Sequence, residues 1–99
     1  VKIDRPMGSC HPKHGYVYPV NYGYVDGMIA PDGEDQDVYV LGADKPLSEF
    51  TGRIIAVIHR FDDMEEKWVA APEGISFTKE EIYRQVEFQE KFFDSEVRM

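Results

Sequence analysis

Only one cysteine, Cys10, occurs in the 99 residues, so the chain cannot close a disulfide on itself, which fits a reducing compartment weakly. His11 and His14 lie near Cys10, but a zinc site draws more Cys and His ligands at short spacing. The expectation for Cys10 is a partly buried thiol. No apolar run approaches the ~18 residues that a membrane span needs, and Val1 to Arg5 shows no charged-then-apolar leader pattern. The expectation is a soluble cytoplasmic protein with no membrane partner. Bases are scarce too, with 11 Lys and Arg against 19 Asp and Glu and a formal charge of −8. A phosphate backbone needs a basic face, so nucleic acid is not an expected partner. Excess acid serves solubility, and where carboxylates cluster it also serves cation binding.

What is present is enough apolar residue, 42%, to exclude a disordered tail and to build one core in one domain spanning 1–99. Gly and Pro punctuate the first two-thirds and separate short apolar or β-branched runs: Tyr16–Val20, Tyr22–Ile29, Val38–Leu41, Arg53–His59 and Lys67–Ala71. This pattern predicts a small antiparallel sheet or barrel. The segment Asp62-Asp63-Met64-Glu65 between the last two runs reads as a hairpin loop. The last third changes character. Thr78 is placed as a helix N-cap, Glu81 completes a capping box, and Phe77 and Ile82 are spaced as a hydrophobic staple. Ile82, Val86, Gln89 and Phe93 then form a stripe at helical spacing, with Phe92 beside it. No Gly or Pro interrupts Thr78 to Asp94. The expected class is therefore α+β, a twisted antiparallel sheet curled into a partial barrel with one C-terminal helix.

The densest chemistry is Asp32-Gly33-Glu34-Asp35-Gln36-Asp37, directly before an apolar strand. Acids this close repel one another unless solvent or a cation offsets their charge. An EF-hand is excluded, because its sixth position takes Gly and its twelfth a carboxylate, whereas counting from Asp32 gives Asp37 and Ala43. A second acidic group, Asp62 to Glu66, precedes Lys67. Alternation along a strand puts Glu65 and Lys67 on one face. A carboxylate for a cation beside a lysine for an anionic oxygen suits a metal-bound phosphate. A solvated turn and a mixed-charge hairpin tip are the plainer alternatives for these two segments.

Tyr18-Pro19-Val20-Asn21-Tyr22-Gly23-Tyr24, followed by Asp32-Gly33-Glu34-Asp35-Gln36-Asp37, resembles the soluble inorganic pyrophosphatase family. That family carries Tyr-Pro-x-Asn-Tyr-Gly-(Phe/Tyr) and then Asp-Gly-Asp-Pro-x-Asp at this spacing. Ile3-Asp4-Arg5-Pro6, Pro46-Leu47 with Gly52, and Lys67-Trp68-Val69-Ala70-Ala71-Pro72 resemble its other motifs in the same order. The resemblance implies an OB-like fold and magnesium-dependent hydrolysis of pyrophosphate, commonly by a homo-oligomer. It implies Asp32, Asp37 and Glu65 as metal ligands, with Asp62 or Asp63 and Asp4 completing the metal sites. It implies Glu34 in place of the water-activating aspartate, and Lys13, Tyr22 and Lys67 as contacts to phosphate.

Departures from the family pattern accompany the likeness. The family's hairpin between the positions of Lys13 and Tyr16, with its glutamate and phosphate-binding arginine, is absent. His11, His14 and Arg5 are the candidates to substitute. The helix ends Phe92-Phe93-Asp94 where the family has Tyr-Lys. A metal cradle better kept than the substrate clamp leaves three outcomes: a slower pyrophosphatase, a metal- and phosphate-binding homologue without turnover, or a hydrolase of another phosphoanhydride.

Overall fold

The computed structural model describes residues 1–31, 33–62 and 65–99. The elements run β1 (Lys2–Arg5), β2 (Asn21–Ile29), β3 (Asp35–Val40), β4 (Arg53–Arg60), β5 (Glu66–Ala71), α1 (Lys79–Glu90) and β6 (Ser95–Arg98). The strands form one open six-stranded sheet in the order β1-β2-β3-β5-β4-β6. The α+β class holds, with one difference in detail. Four neighbouring pairs are antiparallel, but β3 and β5 are parallel, with Val38 opposite Trp68 and Tyr39 opposite Val69. β4 lies on the far side of β5, so the chain leaves β3, passes the position of β5 and returns to fill it. That return makes the central pairing parallel.

Both faces of the sheet centre are covered. On one face Tyr39, Ala56, Ile58 and Val69 pack with Ile82 and Val86 of α1. On the other, Val38, Val40 and Ala70 pack with Val1, Ile3, Phe50 and Trp68. Burying one such aliphatic side chain contributes about 1.5–3 kcal/mol, so Ile82 and Val86, both fully buried, hold α1 to the sheet. The helix begins as its sequence predicts. The Glu81 N–H donates to Thr78 Oγ1, and the Thr78 N–H donates to Glu81 Oε1. It ends earlier than the uninterrupted stretch to Asp94 suggests, with its C-cap at Lys91.

Three local expectations need correction. Tyr16–Val20 is not a strand; it makes a single bridge, Val17 to Cys10, because Gly15 and Pro19 confine it to a turn-rich loop. β1 and β6 are additional strands at the two sheet edges. Cys10 is exposed rather than partly buried.

The Asn21-Tyr22-Gly23 motif has a structural reason. Asn21 is fully buried. Its Oδ1 accepts from the Met7 and Leu47 N–H groups at 2.9 and 3.0 Å, and its Nδ2 donates to the Lys45 carbonyl at 3.0 Å. One side chain thus ties two loops to the start of β2. At Gly23 an added Cβ would lie 1.9 Å from the Lys2 carbonyl oxygen, so only glycine lets β1 lie against β2 there.

Candidate active site

Alternation along the strands gathers the charged side chains on the helix-facing side of the sheet. Asp37 is two residues before Tyr39, Lys67 two before Val69, and Arg60 two after Ile58. Tyr39, Val69 and Ile58 all belong to the core under α1, so the charged residues continue that face beyond its apolar part. A cavity of about 590 Å³ opens there. Its wall includes the charged side chains of Asp4, Arg5, Asp37, Arg60 and Lys67 together with several aromatic ones.

A continuous polar network crosses this floor. Lys67 Nζ lies 2.5 Å from Asp37 Oδ2 and 3.2 Å from Glu65 Oε2. Arg60 donates from Nη1 to Glu65 Oε2 at 2.7 Å, and from Nε and Nη2 to the two oxygens of Glu90 at 3.0 and 2.6 Å. Tyr39 donates to Glu90 at 2.6 Å. Gln89 Nε2 donates to the Tyr39 hydroxyl, while its Oε1 accepts from Tyr16 and Tyr18. Arg60 also sits on the Phe93 ring, 3.7 Å from its centre.

Arg60 is 3% exposed and Glu90 0%. A charge at such depth is sustained only by a paired partner. Burial is the largest single influence on Arg60 and opposes its charge. The hydrogen bonds and charge of Glu90, with Tyr39 and Glu65, together outweigh it and raise the guanidinium pKa. Burial, and then the charge of Asp37, hold the Tyr22 phenol well above its ordinary value, so Tyr22 is a neutral donor at pH 7. Burial, then the charges of His14, Arg5 and Lys13, lower His11 below the ordinary imidazole value.

The structure brings together only part of the residues expected from sequence. Asp37, Lys67 and Tyr22 line the cavity, as does Asp4, and Glu65 joins through Lys67 and Arg60. Asp32 and Asp63 lie outside the described residues. Glu34 is exposed and is not part of the cavity wall. Asp62 accepts from the Asp94 N–H at 3.2 Å, which places its carboxylate beside the turn after α1. Lys13 is likewise outside the wall. It is exposed, in a tight turn where His11 Nδ1 accepts from the N–H groups of Lys13 and His14. His11, His14 and Arg5, the candidate substitutes, do line the cavity.

Arg60 and Glu90 carry no role in the sequence reading, yet both were detectable. Arg60 is in phase with the buried Ala56 and Ile58, and Glu90 is in phase with Ile82 and Val86 at helical spacing. A charged residue on each of two apolar faces that pack together is the mark of a buried ion pair.

Among the described residues no three His, Cys, Asp or Glu side chains group closely enough to hold a metal by themselves. The donor chemistry nonetheless fits a hard divalent cation. Two carboxylates, Asp37 on β3 and Glu65 just before β5, converge on one cationic nitrogen, Lys67 Nζ, and all the oxygens involved are carboxylate.

The chain thus folds as a six-stranded OB-like sheet with one packed helix, acidic side chains converging beside a lysine, and a cavity above them. The sequence model of the inorganic pyrophosphatase family matches residues 3–92, and the chain belongs to that family. Its fold is similar to that of an inorganic pyrophosphatase from Coxiella burnetii, with a TM-score of 0.66 and 20% identity over 98% of this chain and 81% of that one. It is also similar to the enzyme from Neisseria gonorrhoeae, at a TM-score of 0.58, 20% identity, and 85% and 65% of the two chains. The Helicobacter pylori enzyme gives a TM-score of 0.57 and 22% identity, over 84% and 61%. The chain thus spans less than two-thirds of the length of the last two. No match was found among curated proteins. No helix among the described residues is long and apolar enough to cross a membrane.

Proposed function

We propose that the chain hydrolyses inorganic pyrophosphate to two phosphates with the help of magnesium. The observation that carries this reading is the convergence of Asp37 and Glu65 on Lys67 at the cavity floor. Asp37 and Glu65, with Asp32, Asp62 or Asp63 and Asp4 from the family resemblance, are the proposed magnesium ligands. A divalent cation there screens the charge of pyrophosphate and lowers the pKa of bound water.

The chain's own groups do the rest. Lys67 and the neutral Tyr22 hydroxyl donate to phosphate oxygens, which stabilises charge on the leaving phosphate. Glu34 and Lys13 keep their family-implied roles, water activation and phosphate contact, as parts of this proposal. Arg60 donates to both oxygens of Glu90 and to Glu65, so its contribution is to hold Glu65 in place from the fixed point of Glu90. Phosphate release from pyrophosphate with and without magnesium tests the reading. Magnesium-dependent release that falls at least 100-fold in Asp37→Asn, about 2.7 kcal/mol of transition-state stabilisation, is the expected result. Unchanged release in that variant would overturn the mechanism.

A further inference from the structure

The cavity is larger and more aromatic than a bare diphosphate requires. Its volume of about 590 Å³ falls in the range of roughly 300–1,000 Å³ typical of sites for small organic molecules. Besides the charged groups, the cavity is lined by His14, Tyr16 and Phe92. Tyr16 is nearly parallel to both neighbours, with interplanar angles of 5° to His14 and 21° to Phe92 and centroid distances of 6.0 and 6.2 Å.

Part of this wall has a folding role. Tyr16 packs edge-on against Phe88 and donates to Gln89, which fastens the loop to α1. Phe92 meets this loop through its stack on Tyr16, and Lys91 Nζ lies 5.3 Å from its ring. Phe92 follows the helix C-cap, is 61% exposed, and presents its ring at the cavity beside Tyr16. A run of aromatic rings leads from the floor to Tyr16. Lys67 Nζ is 5.9 Å from the Tyr22 ring, Tyr22 is 5.6 Å from Tyr18, and Tyr18 is 5.8 Å from Tyr16. Because Lys67, Tyr16 and Phe92 line the same cavity, a planar group attached to a phosphate chain on Lys67 shares its space with these two rings. Flat aromatic surfaces of this kind stack nucleobases without sequence preference.

We propose that the cavity accepts a nucleoside polyphosphate, with its terminal anhydride on the Lys67–Tyr22 floor and its base against Tyr16 and Phe92. This rests on the phosphoanhydride-hydrolase reading above and extends its substrate class. For a nucleoside diphosphate, a water oxygen bonds to the terminal phosphorus and the bridging P–O bond breaks. The bonding pair stays on the bridging oxygen of the nucleotide, and the water gives up a proton. The products are a nucleoside monophosphate and inorganic phosphate, with no change of oxidation state.

The test compares ADP with pyrophosphate, both with magnesium, on the wild type, Phe92→Ala and Phe92→Trp. Two readouts are taken: kcat/KM from phosphate release, and Kd from calorimetry. The expected result is hydrolysis of ADP, with the ADP-to-pyrophosphate ratio of kcat/KM at least tenfold lower in Phe92→Ala and restored in Phe92→Trp. The Kd for ADP should weaken in parallel. If pyrophosphate is hydrolysed but ADP neither binds nor reacts, or if Phe92→Ala affects both substrates equally, this inference fails and the pyrophosphatase reading stands. If neither compound is hydrolysed, the hydrolase reading fails. The nucleotide site then survives only if ADP binds and loses affinity in Phe92→Ala, and no binding overturns it.

Discussion

Replacing Glu90 by glutamine changes almost no volume and removes one negative charge from the most deeply buried part of the network. In the native protein that charge faces Arg60 through two hydrogen bonds, at 3.0 and 2.6 Å, and accepts from Tyr39 at 2.6 Å. Removing one partner of a buried ion pair costs about 3–5 kcal/mol, because the remaining charge stays desolvated. Arg60 keeps Glu65 at 2.7 Å on its third nitrogen, so the lower figure of about 3 kcal/mol applies. For a domain of this size each kcal/mol moves the melting temperature by roughly 4–8 °C, which places the shift at roughly 12–24 °C. Glu65→Gln is the matched control. Glu65 is a third exposed, so water partly replaces its ion pairs and its loss should cost less than that of the fully buried Glu90. Thermal unfolding followed by circular dichroism compares these variants with the double variant Arg60→Met, Glu90→Leu. That double change should recover much of the loss, since apolar packing replaces a buried pair at little cost. A Glu90→Gln melting point within about 4 °C of the wild type, or a Glu65→Gln loss as large as that of Glu90→Gln, would refute the assignment of the buried anchor.

Asn21→Ala removes three hydrogen bonds and leaves the Met7 and Leu47 N–H groups without their acceptor. At about 1–3 kcal/mol for each unsatisfied group, a loss of about 2–6 kcal/mol is expected in denaturant titration. Gly23→Ala drives a methyl group into the Lys2 carbonyl and should detach β1, seen as fast hydrogen exchange at Lys2–Arg5 with slower change at β4 and β5. Tyr18, held mainly by burial and then by Tyr16, keeps its proton up to about pH 12, whereas an unfolded tyrosine loses it near pH 10. Between those values the folded chain binds more protons, so stability from this group is intact below about pH 10 and falls as pH rises toward 12. Melting curves from pH 8 to 11 should show the decline, and Tyr18→Phe should make it shallower.

The parts of the fold legible in the sequence are those decided locally. The helix announced itself because Thr78 and Glu81 satisfy each other's backbone donors within one turn. The four inner strands were visible because Gly and Pro bound them and their residues are β-branched or aromatic. β1 and β6 were not visible, since four-residue edge strands with alternating charges look like loop. The parallel β3–β5 pairing was hidden as well, because it depends on which strand fills the gap in space. Of the candidate site, Glu65 and Lys67 could be paired from strand alternation, whereas Asp37, Asp4 and Tyr22 were named from the family resemblance. Glu34 and Lys13 were named from motif alignment, and neither forms part of the cavity wall. Arg60 escaped notice because the strand was read as ending at His59, one residue before the position whose alternation points inward.

The parallel register of β3 and β5 sets Asp37 beside Lys67 although 30 residues separate them in the chain. Gln36 reinforces that junction by donating to the Glu66 carbonyl at 2.7 Å. Pairings of this kind close a long loop and form slowly, so the two halves of the cradle meet only when the central sheet is complete. A divalent ion that needs both halves gains nothing from an incompletely folded chain. Its presence would draw the folding equilibrium toward the finished domain, and ion capture and completion of the sheet would be a single event.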